Sequence, residues 1–181
     1  LQRYRRFSGL SIDGMIGQDI LSQVKVVFKR DHHALETFFH DPQDDLEVKL
    51  SQSMKTRFVP IQWIDGHPGM MATIHGRRQK FLFDTTAQMT TLREGFREEP
   101  VRMVVRDYHV KLGLIQAPLI EVDLKITLDK GTLDQNLIAS VLPDIAYEGL
   151  ESFVGSLSLE SFHQADVCVL DLSKMTLSLF K

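Results

Sequence analysis

The run Phe81-Leu82-Phe83-Asp84-Thr85-Thr86-Ala87 constrains the fold more than any other stretch of this chain. Three bulky apolar residues followed directly by an acid describe a buried strand that delivers one carboxylate to its end. Burying an unpaired carboxylate is costly enough to need a purpose. The same residues also read as a strand that simply stops, with the Asp84 side chain capping the following turn. Just upstream, residues 70–74 and 79–83 read as two strands of a hairpin. Its turn is His75-Gly76-Arg77-Arg78, where the glycine supplies positive φ.

The rest of the chain is punctuated in the same way. Residues 8–28 read as strand, short helix, strand: Met15 and Ile16 are stopped by Gly17, Asp19 caps a helical turn holding Ile20 and Leu21, and Val24, Val26 and Phe28 then alternate. Residues 29–33 form a polar turn, 34–39 a returning strand, and His40 to Asp45 the best linker. Beyond it, 58–64, 89–92, 101–105, 108–114 and 119–128 are strand-like, with 65–69 a turn and 93–99 a charged loop or helical turn. The sequence predicts a mostly β protein.

The end of the chain repeats its beginning. A shift of 141 residues carries Gly14 onto Gly155, Ile16 onto Leu157, Leu21 onto Phe162, Val26 onto Val167 and Phe28 onto Val169 without a gap. One extra residue in the second turn then places Leu35 on Leu177 and Phe38 on Phe180. A repeat of this kind predicts two similar lobes in tandem, with only the closing part of the first one here.

A net charge of −3 and a pI near 6.2 argue against a general nucleic-acid binder, which needs a surplus of cations on one face. Arg3, Arg5 and Arg6 are the only basic cluster near an end, and read as a solvated edge. No apolar run approaches the ~20 residues of a membrane span, and the composition is that of an ordinary soluble globular protein. The N-terminus has neither a signal peptide's apolar core nor an initiator methionine, so the chain is expected to begin inside something longer. Cys168 is the sole cysteine, which excludes an intrachain disulfide. No His, Cys or carboxylate spacing resembles a metal site, the adjacent His32-His33 pair included, and no cofactor is expected.

On these residues the chain resembles the retropepsin-like and pepsin-like aspartic peptidases. Members carry a strand ending in Asp-Thr-Gly-Ala after a hairpin, matched by Phe81-Leu82-Phe83-Asp84-Thr85-Thr86-Ala87. Later they carry two apolar residues and a glycine before a short helix. That second motif stands here as Met15-Ile16-Gly17-Gln18-Asp19-Ile20-Leu21, and in altered form as Ser156-Leu157-Ser158-Leu159-Glu160-Ser161-Phe162. The resemblance implies an all-β, aspartic-peptidase-like fold: residues 1–40 the C-terminal part of a first lobe, 41–46 a linker, and 47–181 a complete second lobe.

It also implies chemistry. Two Asp side chains, one per lobe, share a proton and activate a water against a peptide carbonyl. Asp84 would be this lobe's catalytic acid, Thr85 would lock the two acid loops together, and Thr86 and Ala87 would border the bound peptide. The partner acid would come from the missing part of the first lobe or from a second copy in a homodimer. Two positions depart from the pattern: Thr86 and Ser158 stand where the family has glycine. A β-branched residue suits positive φ poorly, so these departures predict a displaced Asp84 loop, and with it a silent peptide-binding or assembly module as the alternative function.

Overall fold

The computed structural model describes residues 16–31, 34–109 and 112–181. In chain order its first elements are α1 (Gln18–Leu21), β1 (Lys25–Asp31), β2 (Ala34–His40), α2 (Leu46–Ser51), β3 (Thr56–Pro60), β4 (Gln62–Ile64), β5 (His67–Ile74) and β6 (Arg77–Phe83). They are followed by β7 (Thr90–Arg93), β8 (Met103–His109), β9 (Gly113–Thr127), β10 (Thr132–Leu142), β11 (Gly155–Leu157), β12 (Val167–Asp171) and β13 (Thr176–Phe180). Short 3-10 turns occupy Glu94–Phe96, Asp144–Tyr147 and Leu159–Phe162. The fold is all-β, and among the described residues no helix is long and apolar enough to cross a membrane.

Period-two patterning builds the larger sheet. On β9, Ile120, Val122, Leu124 and Ile126 are buried between solvent-facing or half-buried Glu121, Asp123 and Lys125; on β10, Leu133 and Leu137 do the same, and from Ala139 to Leu142 every residue is buried. Strands run in the order β4-β5-β6-β11-β7-β10-β9-β8, and an extra pairing of β5 with β9 closes six of them into a barrel. Closure leaves those six without a free edge and packs one apolar face inward, around Met70, Phe81, Leu92 and Leu157. The tight turn between β5 and β6 is His75-Gly76, both at positive φ, as a two-residue hairpin requires.

The smaller sheet is antiparallel, in the order β2-β1-β12-β13-β3. Val26 and Phe28 are buried and find cross-strand neighbours in Leu170 and Cys168 of β12, so β1 is paired on both sides. β2 is one edge of the sheet, where Phe38 and Phe39 stand about half exposed (45% and 51%). One face of this sheet joins the barrel core. On the other, Val27, Val169 and Phe180 are covered by Leu46 and Leu50 of α2 and by Met54.

Several sequence expectations shift. The predicted polar turn at 29–33 is strand as far as Asp31, because Lys29 and Arg30 continue the ladder with β2. The predicted strand at 108–114 takes in the end of β8 and the start of β9. The continuous strand at 58–64 breaks at Ile61. Asp19 lies inside the first turn of α1 rather than capping it; the carbonyl of Gly17 accepts from Ile20 and Leu21. Arg3, Arg5, Arg6, Asp13, Gly14, Met15, His32 and His33 lie outside the described residues.

The segment between β2 and α2 is pinned by a buried charge. Lys25, 2% exposed at its side chain, donates to the carbonyl of Asp44 and pairs with Glu47 at 3.1 Å. Glu47 also accepts from the Ser178 hydroxyl at 2.7 Å and lies 3.4 Å from Lys174, which in turn pairs with buried Asp171 at 3.3 Å. Burial alone would push both carboxyls up, but hydrogen bonds outweigh it and hold both below the usual range. For Glu47 these come from Ser178 and Lys25; for Asp171, from Ser173 and the Lys174 N–H. Their stabilising contribution is therefore whole above the unfolded carboxylate values and is lost as pH falls through the lower folded ones. Melting temperature should drop on acidification below about pH 4. Lys25→Ala should cost about 1–3 kcal/mol at pH 7, since it removes one of the two cations beside Glu47, which keeps Ser178 and Lys174, and takes the donor from the Asp44 carbonyl; urea denaturation measures this. A loss under about 1 kcal/mol would show that the cluster contributes little.

Candidate functional site

Strand order creates the site. β11 is inserted between β6 and β7, parallel to the first and antiparallel to the second. The chain joining β6 to β7, residues 84–89, must therefore cross the end of β11. Two contacts fix that crossing. The Asp84 N–H donates to the Leu157 carbonyl at 3.0 Å, extending the β6–β11 pairing by one bond. Gly155 lets β11 approach β7 so closely that a Cβ there would lie 2.1 Å from the Thr91 carbonyl oxygen.

Beyond that bond the chain turns on the Asp84 side chain. Its Oδ1 accepts from the Thr86 N–H at 2.9 Å and from the Thr86 hydroxyl at 2.7 Å. Asp84 is half-buried, and its second carboxylate oxygen has no hydrogen-bond partner among the described residues. Thr86 does not take positive φ, the only described non-glycine residues that do being Asp65, His75 and Met175. The displacement expected from a β-branched residue here has no basis in this geometry, because the Thr86 hydroxyl becomes a second donor to the carboxylate. Ser158, the other departure, is likewise extended (φ −85°, ψ 171°), a conformation open to any residue.

Hydroxyl groups knit the surrounding strands together. The Thr91 hydroxyl on β7 lies 2.6 Å from the Tyr147 hydroxyl and 2.9 Å from that of Ser156, and accepts the Ser156 N–H at 3.2 Å. Burial pushes the Tyr147 phenol up to about 12, so it remains a protonated donor at any working pH. Arg93 stacks 4.9 Å above the Tyr147 ring and donates to the Leu150 carbonyl at 3.1 Å. Thr90 meets Ser161 at 2.6 Å across the same seam. The Ser158 hydroxyl, by contrast, is fully buried and has no partner among the described residues. Ser158→Ala should therefore raise stability by about 1 kcal/mol, read as a higher denaturation midpoint; a loss of that size would mean that the hydroxyl is satisfied.

With this geometry in view, comparison with solved structures returns 102 matching chains. The chain is similar to a retropepsin-like aspartic protease from Rickettsia conorii, at 20% sequence identity, over 71% of this chain and 92% of that one, with a TM-score of 0.46. No protein-family model matches the sequence, and no curated protein matches it. What the chain does chemically has to come from its own residues.

Of the residues singled out in the sequence, Asp84, Thr85, Thr86 and Ala87 form one exposed-to-half-buried loop at the mouth of the barrel strands. Thr85 makes no side-chain hydrogen bond among the described residues, whereas Thr86 is spent on Asp84. No second carboxylate is hydrogen-bonded to Asp84 among the described residues, and none of them form a group of three His, Cys, Asp or Glu side chains able to hold a metal. Sequence reading missed the Thr91–Ser156–Tyr147 cluster. Its signal was faint: hydroxyl residues on strands that the alternation alone does not place side by side.

Proposed function

We propose that this chain supplies one acid of an aspartic-type endopeptidase, with Asp84 as that acid and a second Asp contributed by another lobe. The observation that carries the reading is the state of the Asp84 carboxylate. One oxygen is fixed by two donors from Thr86, and the other is left unpartnered at the end of a buried strand. An acid held this way presents a single, oriented oxygen, which is what sharing a proton with a second carboxylate requires. The shared proton lets one carboxylate act as base toward water while the other acts as acid toward the peptide carbonyl. Thr85, free of intramolecular bonds among the described residues, is the group offered to the opposing loop, and Thr86 and Ala87 border the bound peptide. The partner lobe is either the segment preceding this one in a longer chain or a second copy. Substrates are extended peptides with apolar side chains.

The test is hydrolysis of a peptide library followed by mass spectrometry across pH 3–8. Cleavage should peak at acidic to neutral pH and fall on both sides, because the dyad works only while it holds one proton. No cleavage at any pH, by either the longer chain or a concentrated dimer, overturns the reading.

A second reading has its own support. Because Thr86 satisfies Oδ1, Asp84 already has a structural task as a turn cap that needs no catalysis, and Ser158 adds an unpartnered hydroxyl where the family has none. On that reading the chain is a silent peptide-binding or assembly module. Peptide binding that persists with no turnover in the same assay favours it.

A further inference from the structure

Away from Asp84, the end of β13 and the start of β3 form a small open cleft of about 120 Å³. The register explains its character. Lys55 and Lys181 exchange both backbone hydrogen bonds, at 2.9 and 3.0 Å, and Arg57 lies opposite Leu179 two residues on. Directly opposed residues share a face, and so do residues two apart on one strand, so Lys55, Arg57 and Lys181 all project on the same side. All three are exposed, and none has an ion-pair partner among the described residues. Like charges placed directly opposite on paired strands destabilise a sheet.

Beneath these cations the cleft is apolar, with Leu133, Phe162, Ala165 and Leu179 each buried to at least nine-tenths. Gln164 lies at its side and its Nε2 donates to Oε1 of Gln135 at 3.4 Å; Gln135 is 3% exposed, and its own Nε2 has no partner among the described residues. Three side-chain cations without an ion pair among the described residues, set over an apolar floor, are complementary to an amphipathic anion.

We infer that the cleft bordered by Lys55, Arg57 and Lys181 binds an amphipathic monocarboxylate, its head among the cations and its hydrocarbon tail against Phe162 and Leu179. The site is independent of the peptidase reading, since no group in it touches Asp84. Octanoate is the probe. It should raise the melting temperature of the chain in a saturable way, and amide NMR shifts should centre on Leu133 and Ala165. Octanol and octylammonium, which keep the tail and lose the anion, and butyrate, which keeps the anion and loses the tail, should each bind at least about tenfold more weakly. A Lys55→Gln, Arg57→Gln double variant should weaken octanoate by about tenfold or more, while the ligand-free protein melts no lower than the parent. The Asp84→Asn variant should bind octanoate as the parent does. The inference is overturned if octanol matches octanoate, if the double variant keeps full affinity, or if the shifts map elsewhere.

Discussion

Asp84→Asn is expected to lower peptide hydrolysis by about 10²–10⁴-fold while leaving the fold in place. The substitution is nearly isosteric, and the amide oxygen still accepts from the Thr86 N–H and hydroxyl, so the turn survives. What is lost is the charge and the ability to hold a shared proton. Stability should change by less than about 1 kcal/mol, as for a cap that keeps its acceptor. Measuring kcat/KM beside thermal melting separates the two effects. A variant that melts like the parent and still cleaves as fast removes Asp84 from the mechanism. One that loses activity only because it unfolds shows that the acid serves the turn.

The second large effect is expected at Gly155. Gly155→Ala places a methyl group 2.1 Å from the Thr91 carbonyl oxygen, against backbone on β7 rather than against a side chain that could rotate away. Relief requires β11 and β7 to separate, which breaks the Thr91–Ser156 contacts and shifts the Leu157 carbonyl that receives the Asp84 N–H. The cost should exceed about 3 kcal/mol, the upper end for overpacking, and should appear as a lower urea midpoint or as insoluble protein. Gly95, which has open space around it, is the control: Gly95→Ala should change the midpoint little.

How much of this was legible in the sequence depends on the range of the interaction. The β5–β6 hairpin is local: His75-Gly76 between two apolar runs is enough to specify it. The short turn and hairpin repeated at 18–40 and 159–180 was also readable, because each copy carries its own periodicity. α2 was not, because its six residues have no fully buried face and owe their conformation to the sheet beneath them. β10 was overlooked because its apolar alternation is broken: Gln135 lies on the buried face and Ile138 on the exposed one. At the site, Asp84 stood out because an acid after three apolar residues is unusual. The consequence of Thr86 was misjudged because rules about glycine address φ, whereas here the side chain supplies a bond.

The insertion of β11 between β6 and β7 also sets an order of events during synthesis. β6 and β7 are made early, but the strand that separates them follows only after β8, β9, β10 and the 3-10 turn at Asp144–Tyr147 have been made. Until then Asp84 has no Leu157 carbonyl to bind, and its loop has nothing to cross. Contacts between residues this far apart in sequence form late, because loop closure has to precede any gain from pairing. Asp84 and its Thr86 turn are thus made 73 residues before the Leu157 carbonyl that seats them, and the loop takes its place only when the six barrel strands are complete.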